Sequence, residues 1–95
     1  MKKSLILTAL LGFSTNLFAA CDKPESPMLP DPSSAVTAQM IKAKNDMKDY
    51  IAAAETYLKC VESDNKRYNT MVESMQKAAE DFNAIVRKYK ERMGA

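Results

Sequence analysis

From Val36 to Met93 the chain contains neither proline nor glycine, and its apolar residues recur at alternating steps of four and three. Only a helix returns positions so spaced to one face, because about 3.6 residues complete a turn. Val36, Met40, Ala43, Met47, Tyr50, Ala54, Tyr57 and Val61 form a first seam, which Ile51 and Leu58 broaden. Tyr68, Met71, Met75, Ala78, Phe82, Ile85 and Tyr89 form a second, broadened by Val72, Ala79 and Val86. Charged residues fill the opposite faces, so the pattern predicts two amphipathic helices and an all-α fold.

Between the seams lies Glu62-Ser63-Asp64-Asn65-Lys66-Arg67. Asp and Asn favour turns and caps over helix interiors, because their short polar side chains compete for backbone groups. Asn65 or Asn69 is placed to cap a new helix, and Thr70-Met71-Val72-Glu73 fits a capping box. A turn here gives an antiparallel helical hairpin, the favoured expectation. The alternative is one continuous coiled-coil helix of about 90 Å, since Val61 and Tyr68 stand one heptad apart and the phase survives the interruption.

Ahead of the helices, residues 21–33 form a proline-rich arm. Pro24, Pro27 and Pro30 recur every third residue, which is the period of a polyproline II helix and lines them along one edge of an extended strand. Asp31-Pro32-Ser33-Ser34 reads as a turn and helix start, with Asp31 or a serine capping and Pro32 in the first turn.

Residues 1–20 carry the parts of an export signal: Lys2 and Lys3, an apolar run from Leu5 to Leu11, and small Ala19 and Ala20 for cleavage. Gly12 and Ser14-Thr15-Asn16 interrupt the apolar stretch well short of the ~20 residues a membrane span requires. The expected divisions are therefore a signal peptide at 1–20, the arm at 21–33 and the helical hairpin at 34–95, with the mature chain in a bacterial periplasm. Phe18-Ala19-Ala20-Cys21 also resembles a lipobox, which leaves open a membrane-anchored lipoprotein acylated on Cys21.

The formal charge of the whole chain is +2, from 14 Lys and Arg against 12 Asp and Glu. Loss of Lys2 and Lys3 with the signal leaves the mature chain neutral, without the basic field that nucleic acid requires. A chain this short builds a small core and needs a staple or a partner.

Cys21 and Cys60 are the only cysteines, and in an oxidising compartment an even count points to a disulfide. If the chain reverses near Ser34, the helix back to Cys60 spans about 39 Å at ~1.5 Å per residue. The arm from Ser34 to Cys21 covers about 40 Å at ~3.1 Å per residue, so the two sulfurs come level. The same ruler sets Pro27 beside Tyr50 and Pro24 near Tyr57. Lipidation of Cys21 with Cys60 unpaired, and pairing between chains, stay open beside the intramolecular bond.

A proline-spaced arm lying back along a helix and packing on its tyrosines resembles the pancreatic-polypeptide fold. The likeness covers residues 21–60, is architectural and implies no hormone activity. Cys21 with its spaced prolines, Tyr57-Leu58-Lys59-Cys60, Tyr68-Asn69 and the stretch Phe82 to Lys90 are similar to small uncharacterised proteobacterial envelope proteins. That resemblance brings no activity, because the group has none defined.

The chain has no histidine, which removes the commonest general base, the commonest metal ligand and the histidine-activated nucleophiles. The cysteines are not in a CxxC arrangement, and adjacent Glu80 and Asp81 point about 100° apart on a helix. Two glycines provide no phosphate-cradling loop. No enzyme, cofactor or metal site is therefore expected. Met40, Met47, Met71 and Met75 sit on the seams, where thioethers fill gaps in a core more readily than they collect Cu(I). Arg87, Lys88, Lys90 and Arg92 suit the negative end of a helix.

The second seam is wider than one neighbouring helix covers. Met71, Met75, Phe82, Ile85 and Tyr89 are thus the expected interaction face, toward a protein partner or another copy of the chain. Membrane association is expected only if Cys21 is lipidated.

Overall fold

A computed structural model describes residues 21–94 of the chain. The export signal expected at 1–20 lies outside the described residues. An extended arm runs from Cys21 to Pro30, a turn follows, and two helices complete the chain. These are α1, Thr37–Cys60, and α2, Asn65–Arg92. They pack against each other as the expected antiparallel hairpin, so the continuous coiled coil is excluded.

Helix α1 begins later than the sequence suggests. The Asp31 carboxylate accepts from the Ser33 amide at 2.9 Å and from the Ser33 hydroxyl at 2.7 Å. Its carbonyl accepts from the Ser34 and Ala35 amides at 3.2 and 2.9 Å. Asp31 therefore serves the turn itself and is not free to cap a helix, and Pro32 lies in that turn and not in a first helical turn. The N-cap is Val36, which has no side-chain oxygen to offer. Gln39 compensates from within, its Oε1 accepting from the Val36 amide at 2.9 Å, which is one half of a capping box.

Helix α1 ends where Val61 still donates to the Tyr57 carbonyl at 3.0 Å and Asp64 donates to the Val61 carbonyl at 2.8 Å. Asp64 then caps α2, its Oδ1 accepting from the Arg67 amide at 3.2 Å. Asp64 fills the role expected of Asn65 or Asn69. The short connection suits antiparallel neighbours, and Val61 plugs the turn at 5% exposure. Tyr68, by contrast, is exposed. The heptad spacing from Val61 to Tyr68 is therefore not a seam, because the chain reverses between them.

The open end of the hairpin is closed by side chains. Tyr89 Oη and Thr37 Oγ1 are 2.8 Å apart. Arg92 Nε donates to the Pro32 carbonyl at 3.0 Å, and its guanidinium also donates to the Ala35 carbonyl. The guanidinium carbon lies 5.4 Å from the Tyr89 ring centre, a cation–π arrangement. Arg92 and Lys88 further help the Ser33 hydrogen bonds hold the Asp31 carboxyl below its ordinary value. Part of the basic cluster at the end of α2 thus holds the chain-reversing turn.

Seven buried residues, Met47, Tyr50, Ala54, Tyr57, Val61, Met71 and Ala78, make one cluster. Met71 is fully enclosed, and burying such a side chain contributes roughly 1.5–3 kcal/mol. Ala54 and Ala78 keep the helix axes close where a larger residue would force them apart.

The arm completes the core. Cys21 and Leu29 pack against the cluster, while Pro24, Pro27 and Pro30 are half-buried and Lys23, Glu25, Ser26 and Met28 are exposed. This is the one-edged burial that the three-residue period predicts. Cys21 and Cys60 are joined as a disulfide, with Cα atoms 5.7 Å apart, as the matched lengths of arm and helix require.

Candidate interaction surface

Two antiparallel helices in contact leave a groove on each side of the contact line, and this chain treats its two grooves differently. The arm fills one of them. Met28, Leu29 and Pro30 lie over Gln39, Lys42, Ala43 and Asp46 of α1, while Pro27 and Leu29 face Asp81, Ala84 and Ile85 of α2. Lys23 shares a recess with Tyr57 of α1 and Arg67 and Thr70 of α2. The arm therefore lies between both helices, where the pancreatic-polypeptide likeness placed it on one.

The other groove has no arm residue. Its middle is a shallow recess of about 390 Å³ lined by Lys44, Met47, Lys48, Ile51, Ala52 and Glu55 of α1 with Phe82 of α2. Toward the turn it continues past Glu55, Leu58, Lys59, Glu62 and Tyr68. Ile51 and Leu58 are half-buried, as are Val72, Ala79 and Val86. Val72 and Val86 stand one helical turn from Tyr68 and Phe82, and Ala79 one turn from Phe82, so all three share this side of α2.

The five residues expected to form the interaction face do not stay together. Phe82 lines the open groove, and Met75 is half-buried beside the core. Met71 is wholly enclosed and can meet no partner, because it faces straight into α1. Ile85 faces the arm, and Tyr89 is engaged with Thr37 and Arg92. The structure therefore brings Phe82 to the open groove and sets Met71, Ile85 and Tyr89 elsewhere. The arm does more of the covering than a single-helix contact implied. The residues that line the groove and were missing from that face are Ile51 and Leu58, with Lys44, Lys48 and Glu55 on the rim.

Nothing else in the described residues gathers chemistry. No group of three or more Cys, Asp or Glu is disposed to hold a metal. The ion pairs are the exposed one-turn pairs Lys42–Asp46, Asp64–Arg67 and Lys77–Asp81, each worth under about 1 kcal/mol. Met40 and Met47 are buried with Met71, in keeping with a packing role. No helix among the described residues is long and apolar enough to cross a membrane. No family model, curated protein or solved structure matches the chain.

Proposed function

We propose that the mature chain is an exported, non-enzymatic protein of the bacterial periplasm that acts by docking another protein chain in its open groove. The observation that carries this is the asymmetry of the hairpin. One groove is filled by the arm and locked by Cys21–Cys60, while the other leaves Ile51, Leu58 and Phe82 partly uncovered. A contiguous apolar strip rimmed by charge is the composition of a protein-binding face.

Export is supported by Lys2, Lys3 and the apolar run that follows them, and by a disulfide that an oxidising compartment sustains. The competing reading, an envelope lipoprotein acylated on Cys21, needs the sulfur that Cys60 engages. Intact mass of the mature protein separates the two.

The docking reading is tested in intact cells with a photo-reactive phenylalanine analogue in place of Leu58, beside the same analogue in place of Glu80 on the outer face of α2. Cross-linked adducts are expected from the Leu58 position and not from the Glu80 position. Equal yields, or none from either, would refute docking through the groove.

A further inference from the structure

We infer that the Cys21–Cys60 bond is a reducible latch on the arm, opened by thiol exchange at Cys60 with a dithiol reductant. The inference goes beyond docking in the open groove and does not depend on it.

The two sulfurs are unequally placed. Cys60 is exposed, whereas Cys21 is half-buried and packs against the core cluster. Thr56, Lys59 and Ser63, the neighbours of Cys60 along α1 and into the turn, are exposed as well. A thiolate therefore has an open approach to Cys60 Sγ, and exchange requires access to the sulfur under attack. The reductant's first thiolate attacks Cys60 Sγ, the Cys21–Cys60 bond breaks, and Cys21 Sγ leaves with the electron pair and takes a proton. The reductant's second thiolate then attacks its own sulfur in the mixed disulfide, and Cys60 Sγ leaves in turn and takes a proton. Two electrons pass to this chain, and the reductant ends as the disulfide.

Latch and hinge lie at opposite ends of the arm. At the hinge, Asp31 holds Ser33, Ser34 and Ala35, and Arg92 donates to the Pro32 and Ala35 carbonyls. None of these contacts involves a sulfur, so the turn stays anchored to α2 when the bond opens. Between hinge and latch, no hydrogen bond joins residues 21–30 to either helix among the described residues. The helices, by contrast, keep contacts of their own. Ala54, Val61, Met71 and Ala78 are buried in one cluster, and Tyr89 meets Thr37 at the open end. Reduction thus frees the arm to swing about Asp31 while the hairpin persists, and it uncovers Tyr57, which shares a recess with Lys23.

Reduction of the folded, oxidised mature chain by dithiothreitol, without denaturant, is the test. The rate should rise in proportion to dithiothreitol concentration, because the thiolate reaches Cys60 in the folded chain. With glutathione as a one-thiol probe and iodoacetamide to trap the leaving thiol, mass mapping should place glutathione on Cys60 and the alkyl group on Cys21. Glutamate-specific cleavage after Glu25 should quicken about tenfold or more on reduction, in step with the population of the open arm. It should match the rate of the Cys21→Ser, Cys60→Ser variant and fall back on reoxidation, while the far-UV helix signal is retained.

A rate that levels off at high dithiothreitol, where the chain must open before it is reduced, would overturn attack on the folded chain. Glutathione found first on Cys21 would overturn the choice of sulfur. A reduced chain that still resists cleavage after Glu25, or one that loses its helix signal, would show that the bond is a staple and not a latch.

Discussion

Replacing Cys21 and Cys60 together by Ser removes the one covalent tie between the arm and α1, and its cost can be worked from the chain. The bond closes a loop with a sequence separation of 39. Chain entropy for a loop of that length gives about 4 kcal/mol at 25 °C. Without the bond the arm is held mainly by Leu29 and three half-buried prolines. Burying Leu29 contributes roughly 1.5–3 kcal/mol, while fixing the backbone of each arm residue costs about 1 kcal/mol or more. The arm should therefore leave the groove, exposing Tyr50 and Tyr57 and weakening the hairpin with it. With a urea slope of about 1–1.5 kcal/mol/M for so small a chain, the midpoint should fall by about 3 M. A glutamate-specific protease should cut the variant rapidly after Glu25, in the arm, while the oxidised parent resists. A midpoint shift under about 0.5 M, with equal resistance at Glu25, would refute the clamp and show that the prolines alone hold the arm.

Two further outcomes follow from individual side chains. The Tyr50 ring is buried, and its hydroxyl is enclosed without a hydrogen-bond partner, so Tyr50→Phe should leave stability unchanged or raise it by up to about 1 kcal/mol. A loss above about 1 kcal/mol in urea unfolding would mean that the hydroxyl is satisfied. The Asp31 carboxyl is held below its ordinary value near 3.8 by the Ser33 hydroxyl first, then by the Ser33 amide and the charges of Arg92 and Lys88. Its contribution is complete above that ordinary value and is lost as the pH falls through the lower folded value. The melting-temperature gap between parent and Asp31→Asn should therefore be largest near neutrality and close below about pH 4; a gap that widens in acid would contradict this assignment.

Much of the architecture could be read from residue spacing. Pro24, Pro27 and Pro30 fixed the inner edge of the arm, and equal lengths of arm and helix placed Cys21 beside Cys60. The reversal at Asp64 was harder to place, because Asp64, Asn65 and Asn69 offer the same capping chemistry. Only the backbone's choice of where α1 stops, with Val61 as its plug, decides among them. The start of α1 was missed for a related reason. Asp31 can cap a helix or close a turn, and the choice follows from Arg92 and Tyr89, which are distant in sequence and anchor the turn from the end of α2.

The fold divides the five residues of the expected face because helical periodicity reports how wide an apolar stripe is, not which neighbour covers each edge. Position within the stripe carried the missing information. Ile51 and Leu58 each follow a seam tyrosine by one residue, and Val72, Ala79 and Val86 each follow Met71, Ala78 and Ile85 by one. A step of about 100° turns all five the same way round their helices. In an antiparallel pair, equal rotation viewed along each chain carries both sets to the same side of the contact line. Cys60 stands on the other flank of α1, and the bond to Cys21 pins the arm there. The disulfide thus decides which groove is filled, and the one-residue offset decides that the opposite groove is apolar on both walls. Exchanging the flanks, with Cys at Leu58 and Leu at Cys60, would draw the arm toward the wrong groove and bury Ile51 beneath the prolines.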